Sequence, residues 1–255
     1  MAASGTRRNT LTFDIGGTGL KATVLGPTGK MLTDRHRVET PHPITPQLLV
    51  SELQKLAEPL PEFHRISVGF PGVVRNGRLR SAHNFVGKKG LGSAADPKLV
   101  DAWIGFDLQH ALAEAFHVPV RVVNDADLQG FDVVKGKGVE VVITLGTGVG
   151  SAVFADGQLA PHLELAHHPF RKGETYEEQL GDLTLKKIGP TKWNDRLAKA
   201  IATLDGLFFF DQLYLGGGNI RHIELKLPDR VSLIDPNAGL LAGIKLWKPG
   251  ALRGR

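Results

Sequence analysis

The chain contains no cysteine among its 255 residues. Disulfide bonds and thiolate metal sites are therefore excluded, and a reducing compartment such as the cytoplasm is the expected location. No run of apolar residues approaches the ~18–20 that a membrane-spanning helix needs, so we expect no membrane partner. Residues 1–9 are small and polar and no apolar core follows them, which predicts a disordered tail instead of a signal peptide.

No long block of like charges interrupts the chain either. Hydrophobic residues make up 42% and charged residues 22%, which excludes a disordered or fibrous protein and predicts a globular one of two modest lobes. The net charge of +5 favours anionic partners such as nucleic acids, acidic membranes or phosphorylated small molecules. Because the basic residues occur in small separate sets, each set by itself predicts only a solvated surface.

Two glycine-rich turns each follow an apolar strand. The first turn, Gly16–Gly19, follows the predicted strand Leu11–Ile15, and the second, Gly146–Gly150, follows Val139–Leu145. A further strand is predicted after each turn, and the second copy is one glycine shorter. A repeated strand–turn–strand unit predicts two related lobes that face each other across a cleft.

The glycine turns are candidate phosphate sites. A glycine turn exposes backbone N–H groups and lets an anion come close, and Thr18 and Thr147 add hydroxyl donors. Asp14 directly precedes the first turn, and a carboxylate beside a phosphate needs a mediating cation, so Mg²⁺ is expected there. One such turn would equally fit a tight hairpin, whereas two copies favour phosphate loops. Neither turn has the ending of a P-loop, and both lead into strands, unlike a Rossmann motif.

A candidate catalytic base ends the buried strand predicted at Val118–Val123. Carboxylates at the carboxyl end of a parallel strand point into the crevice of an open α/β sheet. Phosphoryl transfer to an alcohol needs such a group near the hydroxyl proton, and we assign this role to Asp125, with Asn124 holding a neighbouring hydroxyl. The alternative is that Asn124 or Asp127 caps the following helix.

The remaining pattern is typical of a mixed α/β protein. Apolar residues at helical spacing predict helices at Pro46–Leu60, Phe106–Phe116, Leu180–Ile188, Trp193–Phe209 and Asn237–Trp247. Short strands are predicted at Arg65–Gly69 and Gln212–Leu215. We place the first lobe at residues 1–123 and the second at 124–255, with the C-terminal helix at 237–248 packing back on the first lobe.

The ordered set of motifs is more specific than any one of them. It consists of Asp14-Ile15-Gly16-Gly17-Thr18, Phe70-Pro71-Gly72, Asn124-Asp125-Ala126-Asp127, Leu145–Ser151 and Gly216-Gly217-Gly218-Asn219. This set resembles the ROK family of repressors, open reading frames and kinases. Three segments are most similar to its polyphosphate glucokinase subgroup, namely Tyr176–Trp193, Asp211–Asn219 and Asn237–Trp247.

The resemblance implies an α/β, actin-like ATPase or hexokinase-type fold, with Asp125 as the catalytic base and Asp14 as the Mg²⁺ ligand. It implies phosphate binding by Asp14, Gly16, Gly17, Thr18, Gly146, Thr147, Gly148 and Gly150. It implies sugar binding by Asn84, Asn124, Asp125, Glu164, His167 and Glu177. Gly216, Gly217, Gly218 and Asn219 would lie on the side of the nucleotide or other donor.

The chain departs from the family pattern in three places. The sugar motif Glu-x-Gly-His has Ala166 in place of glycine, and His168 follows His167, so either imidazole could contact the sugar. Without cysteine the zinc site of many relatives is excluded. Residues Gly87–Ala102 resemble an insertion, interpreted as an exposed surface loop that carries Lys88 and Lys89.

The expected function is a glucokinase that phosphorylates the 6-hydroxyl of glucose, with mannose as a further acceptor, from polyphosphate, ATP or both. A polyanionic donor would run past Lys88, Lys89, Arg171 and Lys172. The alternative is a strictly ATP-dependent hexokinase for fructose, mannose or N-acetylmannosamine. A sugar-sensing repressor is disfavoured because the first glycine turn leaves no room for a preceding helix-turn-helix domain and because Asp125 is retained. No nucleic-acid partner and a homodimer are expected.

Overall fold

The computed structural model describes residues 8–88, 93–234 and 241–252. The described residues form two compact units. The first contains residues up to Asp132 together with 241–249, and the second contains those from Val133 to 234 together with 250–252. In the described parts of the chain, no helix is long and apolar enough to cross a bilayer.

The strands of the first unit are β1 (Thr10–Ile15), β2 (Leu20–Leu25), β3 (His36–Val38), β4 (Arg65–Phe70), β5 (Val74–Arg75), β6 (Arg78–Leu79) and β7 (Val120–Asn124). Its helices are α1 (Pro46–Ala57), α2 (Pro97–Trp103), α3 (Leu108–Phe116), α4 (Asp125–Val133) and a 3-10 helix at Leu241–Trp247.

The sheet of the first unit has the order β3-β2-β1-β4-β7. β2 is antiparallel to β1, whereas β4 and β7 continue the sheet in parallel. The apolar side chains of β1 are fully buried and pack with Leu49 and Leu53 of α1 in one core. α1 begins where the Thr45 hydroxyl accepts a hydrogen bond from the Leu48 N–H, with Pro46 in the first turn. The carboxyl ends of β1, β4 and β7 consequently meet at one edge of the sheet.

The C-terminal 3-10 helix packs on β1 and β4 of the same unit. The Ser67 hydroxyl donates to the Gly243 carbonyl oxygen at 2.7 Å and accepts from the Trp247 indole N–H at 2.8 Å. A Cβ atom on Gly243 would lie 2.0 Å from the Thr12 hydroxyl oxygen, so only glycine lets the helix come this close. The helix predicted from Asn237 is thus a 3-10 helix from Leu241 onward, and its first residues lie outside the described ones.

The strands of the second unit are β8 (Val139–Leu145), β9 (Val149–Ala155), β10 (Gln158–Leu159), β11 (Pro169–Arg171), β12 (Glu174–Thr175), β13 (Gln212–Gly216) and β14 (Val231–Leu233). Its helices are α5 (Tyr176–Leu180), α6 (Asp182–Phe208) and 3-10 helices at Leu165–His167 and Gly218–His222.

The sheet of the second unit has the order β10-β9-β8-β13-β14. β9 is antiparallel to β8, and β13 and β14 are parallel to it, so the strand order and directions match those of the first sheet. α6 is interrupted at Gly189, whose φ of 77° is not helical, just before Pro190. The two helices predicted in this region correspond to its two halves, and the repeat seen in the sequence extends to the whole sheet.

Two findings differ from the sequence prediction. The segment interpreted as an exposed loop from Gly87 to Ala102 contains most of α2, which begins at the Asp96 cap and buries Leu99 and Trp103. α4 belongs to the first unit, although we placed the lobe boundary at 123/124. The reason is close packing on β4: a Cβ on Gly69 would lie 3.0 Å from Leu128 and 3.3 Å from the Asp125 Cα.

Candidate functional site: two glycine loops and a carboxylate

The first glycine loop (residues Gly16–Gly19) connects β1 to β2. It is closed by a hydrogen bond from the Gly16 N–H to the Gly19 carbonyl oxygen at 3.0 Å. In the described part of the chain, the N–H groups of Gly17 and Thr18 donate to no protein acceptor. Two neighbouring amides without acceptors are what a phosphate oxygen requires.

The carbonyl oxygens of the first glycine loop are held by side chains that follow β2. The Thr40 hydroxyl donates to Gly16 O at 2.6 Å, and the His42 Nε2–H donates to Gly17 O at 2.6 Å. Arg37 Nη2 donates to Thr18 O at 3.3 Å. The sequence analysis did not select any of these three residues.

Asp14 ends β1 beside the first glycine loop and forms an ion pair with Lys21 of β2 at 2.8 Å. In the regions that the structure describes, no group of three or more His, Cys, Asp or Glu side chains could hold a metal ion. Mg²⁺ in phosphoryl-transfer sites uses one or two carboxylates together with phosphate oxygens and water, so a single Asp14 fits that donor set. Lys21 would then share the Asp14 carboxylate with the cation.

Asn124 and Asp125 lie where β7 meets α4. The Asn124 side-chain oxygen accepts from the Ala126 N–H at 2.8 Å, and its Nδ2 donates to the Gly72 carbonyl at 3.1 Å. Asn124 therefore caps α4 and holds the turn after β4, which agrees with the capping alternative. Its amide is buried and engaged, so its sugar contact stays a prediction that would require replacing one of these bonds.

The Asp125 carboxylate is half-buried at the first turn of α4, and its Oδ1 accepts from the Ala126 N–H at 2.9 Å. It lies at the carboxyl end of a parallel strand, as predicted. Asn84 belongs to a turn of the first unit, and the ring of the next residue, Phe85, packs on the Phe70 ring with centroids 5.3 Å apart. Within the described residues the Asn84 side chain has no hydrogen-bond partner, which leaves it available to a ligand.

The second glycine loop (residues Gly146–Gly150) connects β8 to β9. The Gly146 N–H donates to the Gly148 carbonyl oxygen at 2.9 Å, and the N–H groups of Thr147 and Gly148 find no acceptor in the described residues. The Gly150 N–H donates to the Thr144 hydroxyl oxygen at 3.1 Å. This loop thus presents two adjacent amides in the same way as the first.

The segment Gly216–Asn219 supports the second glycine loop. Asn219 Nδ2 donates to the Gly146 carbonyl oxygen at 3.1 Å, and the Asp182 N–H donates to the same oxygen at 3.0 Å. Gly217 has φ 86°, and a Cβ there would lie 2.3 Å from the Leu145 carbonyl oxygen, so glycine is required. Two motifs about 70 residues apart in the sequence are thereby brought together.

Glu177 also lies against the second glycine loop. Its Oε2 accepts from the Val149 N–H at 3.3 Å, and a Cβ on Gly148 would lie 2.3 Å from the same oxygen. α5 is fixed behind it because Tyr176 is buried and stacks on Phe170 with ring centroids 4.5 Å apart. Burial raises the pKa of the Tyr176 hydroxyl, so it stays neutral. The sugar contact expected of Glu177 stays a prediction.

Glu164 precedes the 3-10 helix Leu165–His167. The Ser151 hydroxyl of β9 donates to the Leu163 carbonyl oxygen at 2.8 Å and so fixes the segment that carries Glu164. His162 Nε2 lies 3.6 Å from Glu164 Oε1, and the His162 side chain is only 2% exposed. The sequence analysis missed His162, although a histidine two residues before the sugar motif was a visible signal.

The two adjacent histidines differ in their surroundings. His168 Nδ1 lies 2.9 Å from the Pro169 carbonyl oxygen, so its ring donates to the backbone. His167 is exposed at the end of the 3-10 helix. Ala166 has a helical backbone, which any L-residue adopts, so the departure from glycine requires no change in this turn. Both side chains are exposed, and which of the two contacts the sugar stays a prediction.

The basic residues assigned to a polyanion are unequal. Lys88 is exposed, and Lys172 is exposed at a left-handed turn residue with φ 55°. Arg171 Nη1 donates to Gln179 Oε1 at 3.3 Å, so its guanidinium is partly engaged. Lys89 lies outside the described residues.

A comparison with known protein families decides the family. The ROK family model matches residues 10–162, which is more than half of the chain and includes both glycine loops and Asp125. The chain belongs to the ROK family.

ROK relatives of known name support a kinase. Polyphosphate glucokinase of Mycobacterium tuberculosis (strain CDC 1551 / Oshkosh) is 29% identical over 234 residues, which cover 88% of this chain and 82% of that protein. N-acetylmannosamine kinase of Escherichia coli (strain SE11) is 31% identical over 155 residues, which cover 59% of this chain and 48% of that protein.

Solved ROK structures confirm the α/β, actin-like and hexokinase-type fold class. Inorganic polyphosphate/ATP-glucomannokinase from Arthrobacter sp. strain KM matches with a TM-score of 0.77 and 27% identity, over 93% of this chain and 97% of that chain. A ROK family glucokinase from Streptomyces griseus in complex with glucose and AMPPNP matches with a TM-score of 0.69 and 16% identity, over 93% and 98%. At that identity the second match speaks for the fold alone.

Proposed function

We propose that this ROK protein is a glucokinase that transfers a phosphoryl group from inorganic polyphosphate or ATP to the 6-hydroxyl of glucose. The observation that carries the proposal is the repeated glycine loop, which in each unit presents two adjacent amides without protein acceptors. Such amides bind phosphate oxygens. The named relatives support the same reading, because those that cover most of the chain are polyphosphate glucokinases.

Asp125 is the proposed catalytic base. Its carboxylate accepts the proton of the sugar 6-hydroxyl as the hydroxyl oxygen attacks the terminal phosphorus, and the bond from that phosphorus to the donor's bridging oxygen breaks. The shortened donor leaves with the electron pair of that bond. The loop amides stabilise the negative charge on the equatorial oxygens of the transferred group. Mg²⁺ near Asp14 would neutralise further phosphate charge.

The sugar is proposed to contact Asn84, Glu164 and His167. A carboxylate, an amide and an imidazole together offer donors and acceptors, which is what vicinal hydroxyls require for directional binding. The unpartnered amide of Asn84 supports this assignment. A homodimer, as the family resemblance implies, is part of the proposal and is measurable by sedimentation.

Polyphosphate as donor is proposed to use exposed cations in addition to the loops. Lys88 and Lys172 are exposed and form no ion pair among the described residues. Each cation that binds a polyanion displaces counterions, so the KM for polyphosphate should rise more steeply with salt than the KM for ATP. The double variant Lys88→Ala/Lys172→Ala should weaken polyphosphate use more than ATP use, and Lys199→Ala on the exposed face of α6 is the matched control.

A second candidate is an ATP-dependent kinase for another hexose. The E. coli N-acetylmannosamine kinase, at 31% identity over 155 residues, is the observation that favours it.

The deciding experiment is steady-state phosphorylation of glucose, mannose, fructose and N-acetylmannosamine with ATP and with long-chain polyphosphate, each with Mg²⁺. We expect glucose to have the highest kcat/KM and both donors to be used. Turnover with ATP alone would reject polyphosphate, a preference for N-acetylmannosamine would favour the second candidate, and no turnover would reject the kinase.

A further inference from the structure

Three side chains from one short segment contact three successive carbonyl oxygens of the first glycine loop. Thr40 contacts Gly16 O and His42 contacts Gly17 O, both at 2.6 Å, and Arg37 contacts Thr18 O at 3.3 Å. We call Arg37, Thr40 and His42 the carbonyl clamp. Nothing in the motif pattern of the chain assigns it a role.

The planarity of the peptide unit connects the clamp to the phosphate-binding amides. In a trans peptide the carbonyl oxygen of one residue and the N–H of the next lie in one plane and point in opposite directions. Holding Gly16 O therefore orients the Gly17 N–H, and holding Gly17 O orients the Thr18 N–H. Neither of these amides has a protein acceptor in the described residues.

The loop needs such a device because of its composition. Glycine has access to a wide range of backbone angles, so a Gly-Gly-Thr-Gly segment loses much conformational entropy when it is fixed. A loop already held in one conformation does not incur that loss when phosphate binds, and oriented dipoles need no rearrangement during the reaction.

His42 is suited to this task because a ring nitrogen can donate to a carbonyl oxygen. The carbonyl oxygen of Gly17 can only accept, so Nε2 carries the hydrogen. Nδ1 of the same ring is buried and has no hydrogen-bond partner in the described residues, so the ring does not serve a second polar group. Thr40 is 7% exposed, and its hydroxyl is directed to the loop.

The geometry points to Thr40 and His42 as positioning residues that hold the Gly17 and Thr18 amides in place for the phosphoryl donor, an inference that rests on the proposed kinase function. They touch neither donor nor sugar in this scheme. Their removal should therefore weaken use of the donor and leave the sugar contacts unchanged.

The test compares pairs of variants at each position. Thr40→Val removes the hydroxyl with little change in shape, and Thr40→Ser keeps it. His42→Ala removes the donor, and His42→Gln returns a side-chain N–H at a similar reach. Thr23→Val is the matched control, because the buried Thr23 hydroxyl donates to the Thr33 carbonyl at 3.2 Å in the same sheet and away from the loop.

Two readouts separate positioning from stability. The first is kinetic and compares kcat/KM for the donor with KM for glucose, while the unfolding midpoint of each variant is measured as well. The other is the Kd of inorganic tripolyphosphate by calorimetry, which needs no turnover. We expect Thr40→Val and His42→Ala to lower donor kcat/KM and tripolyphosphate affinity about tenfold, as loss of one oriented hydrogen bond would. Glucose KM should stay within about twofold, and Thr40→Ser and His42→Gln should recover most of the loss.

The inference is overturned if Thr40→Val lowers donor kcat/KM no more than Thr23→Val does at an equal shift of the unfolding midpoint. It is also overturned if glucose KM changes as much as donor KM. In both cases an active wild-type protein leaves the proposed function intact. A wild-type protein that neither phosphorylates a hexose nor binds tripolyphosphate rejects the proposed function and this inference together.

Discussion

The two glycine loops both expose adjacent backbone amides and are supported in different ways. Each closes through the N–H of its first glycine, which donates to Gly19 O at 3.0 Å in the first loop and to Gly148 O at 2.9 Å in the second. The hydrogen-bonded turn of the second loop is one residue shorter, and this difference corresponds to the glycine that the second copy of the sequence repeat lacks. Each loop then leaves at least two adjacent amides without an acceptor among the described residues.

The residues that hold the first loop have no equivalents among the residues that hold the second. The first loop is held through its carbonyl oxygens by the carbonyl clamp, whose residues lie in β3 and in the segment directly after it. The second is held by Asn219 and the Asp182 N–H on one carbonyl oxygen and by Glu177 on an amide. The support of the second loop therefore comes from α5, the start of α6 and the segment after β13.

The difference shows which part of a repeated unit is constrained. The turn must expose amides to an anion, and this fixes the glycines and the flanking strands. Any donor that reaches a carbonyl oxygen can hold the turn, so the supporting residues are free to differ between the two units. The sequence repeat therefore identifies the two turns but not the residues that support them.

The largest effect should come from removing the proposed base Asp125, which belongs to neither loop. In Asp125→Asn the side chain keeps its size, so the start of α4 and both loops should be unchanged. General-base catalysis contributes about 10²–10⁴-fold, and kcat should fall by that much with a smaller change in KM for glucose and an unchanged Kd for tripolyphosphate. A kcat within about threefold of wild type would contradict the assignment of Asp125.

The next effect should appear in the sugar motif of the second unit, which the first unit does not have. Glu164→Gln and His167→Ala should each weaken glucose binding by about 1–3 kcal/mol, because a sugar hydroxyl loses its partner. The measurement is KM for glucose at saturating donor.

His168→Ala is the control for the sugar motif, since the His168 ring donates to the Pro169 carbonyl. It should be milder than His167→Ala. The reverse order would transfer the sugar contact to His168, and an unchanged KM in Glu164→Gln and His167→Ala would place the sugar elsewhere.

The elements that the sequence predicted well are those whose pattern is local. The strands before both turns, α1 and the second strand of each hairpin follow directly from apolar periodicity and glycine. α2 was missed because a glycine- and lysine-rich stretch precedes it, and the helix depends on the Asp96 cap and on the burial of Trp103. Its burial against Phe70 and Phe85 is a tertiary effect that no local pattern records.

The candidate site was predictable where a motif exposes a functional group. Asp125 and both glycine turns were found in this way. The clamp residues Thr40 and His42 act through single hydrogen bonds to backbone oxygens about 24 residues away in the chain, and such contacts leave no spacing to read. Asn124 shows the converse case, because one side chain at the end of a strand can cap a helix or bind a ligand, and only its hydrogen bonds reveal the cap.

A pair of equivalent glycines offers a smaller test of the comparison. A Cβ on Gly16 would lie 3.0 Å from the Gly19 carbonyl oxygen, whereas a Cβ on Gly146 would meet nothing within 4 Å. We expect Gly16→Ala to lower the free energy of unfolding by about 1 kcal/mol through this crowding and Gly146→Ala to leave it within about 0.5 kcal/mol. Urea unfolding measures both, and equal losses would show that the two turns are equally tight.

The smallest effect should come from the caps of the helices beside the loops. α5 carries Glu177 to the second loop and begins with a capping box, in which the Glu178 carboxylate accepts from the Thr175 N–H at 2.8 Å. Two hydrogen bonds lower the pKa of Glu178 below its ordinary value: the bond from the Thr175 N–H has the larger effect, and the bond from the Thr175 hydroxyl has the smaller one. A carboxylate with a lower pKa in the folded state stabilises the fold above its unfolded pKa, and this contribution is lost as the pH falls through the folded pKa. The difference in unfolding midpoint between wild type and Glu178→Gln should therefore be greatest near pH 7 and shrink below about pH 4.

The control is Thr45→Ala in α1, the helix that follows the carbonyl clamp. Thr45 caps this helix, and its first turn contains no acidic residue, so the loss of stability in Thr45→Ala should be the same near pH 7 and below about pH 4. A pH-independent difference for Glu178→Gln, measured by thermal melts beside Thr45→Ala, would show that the charge of Glu178 plays no part in holding α5.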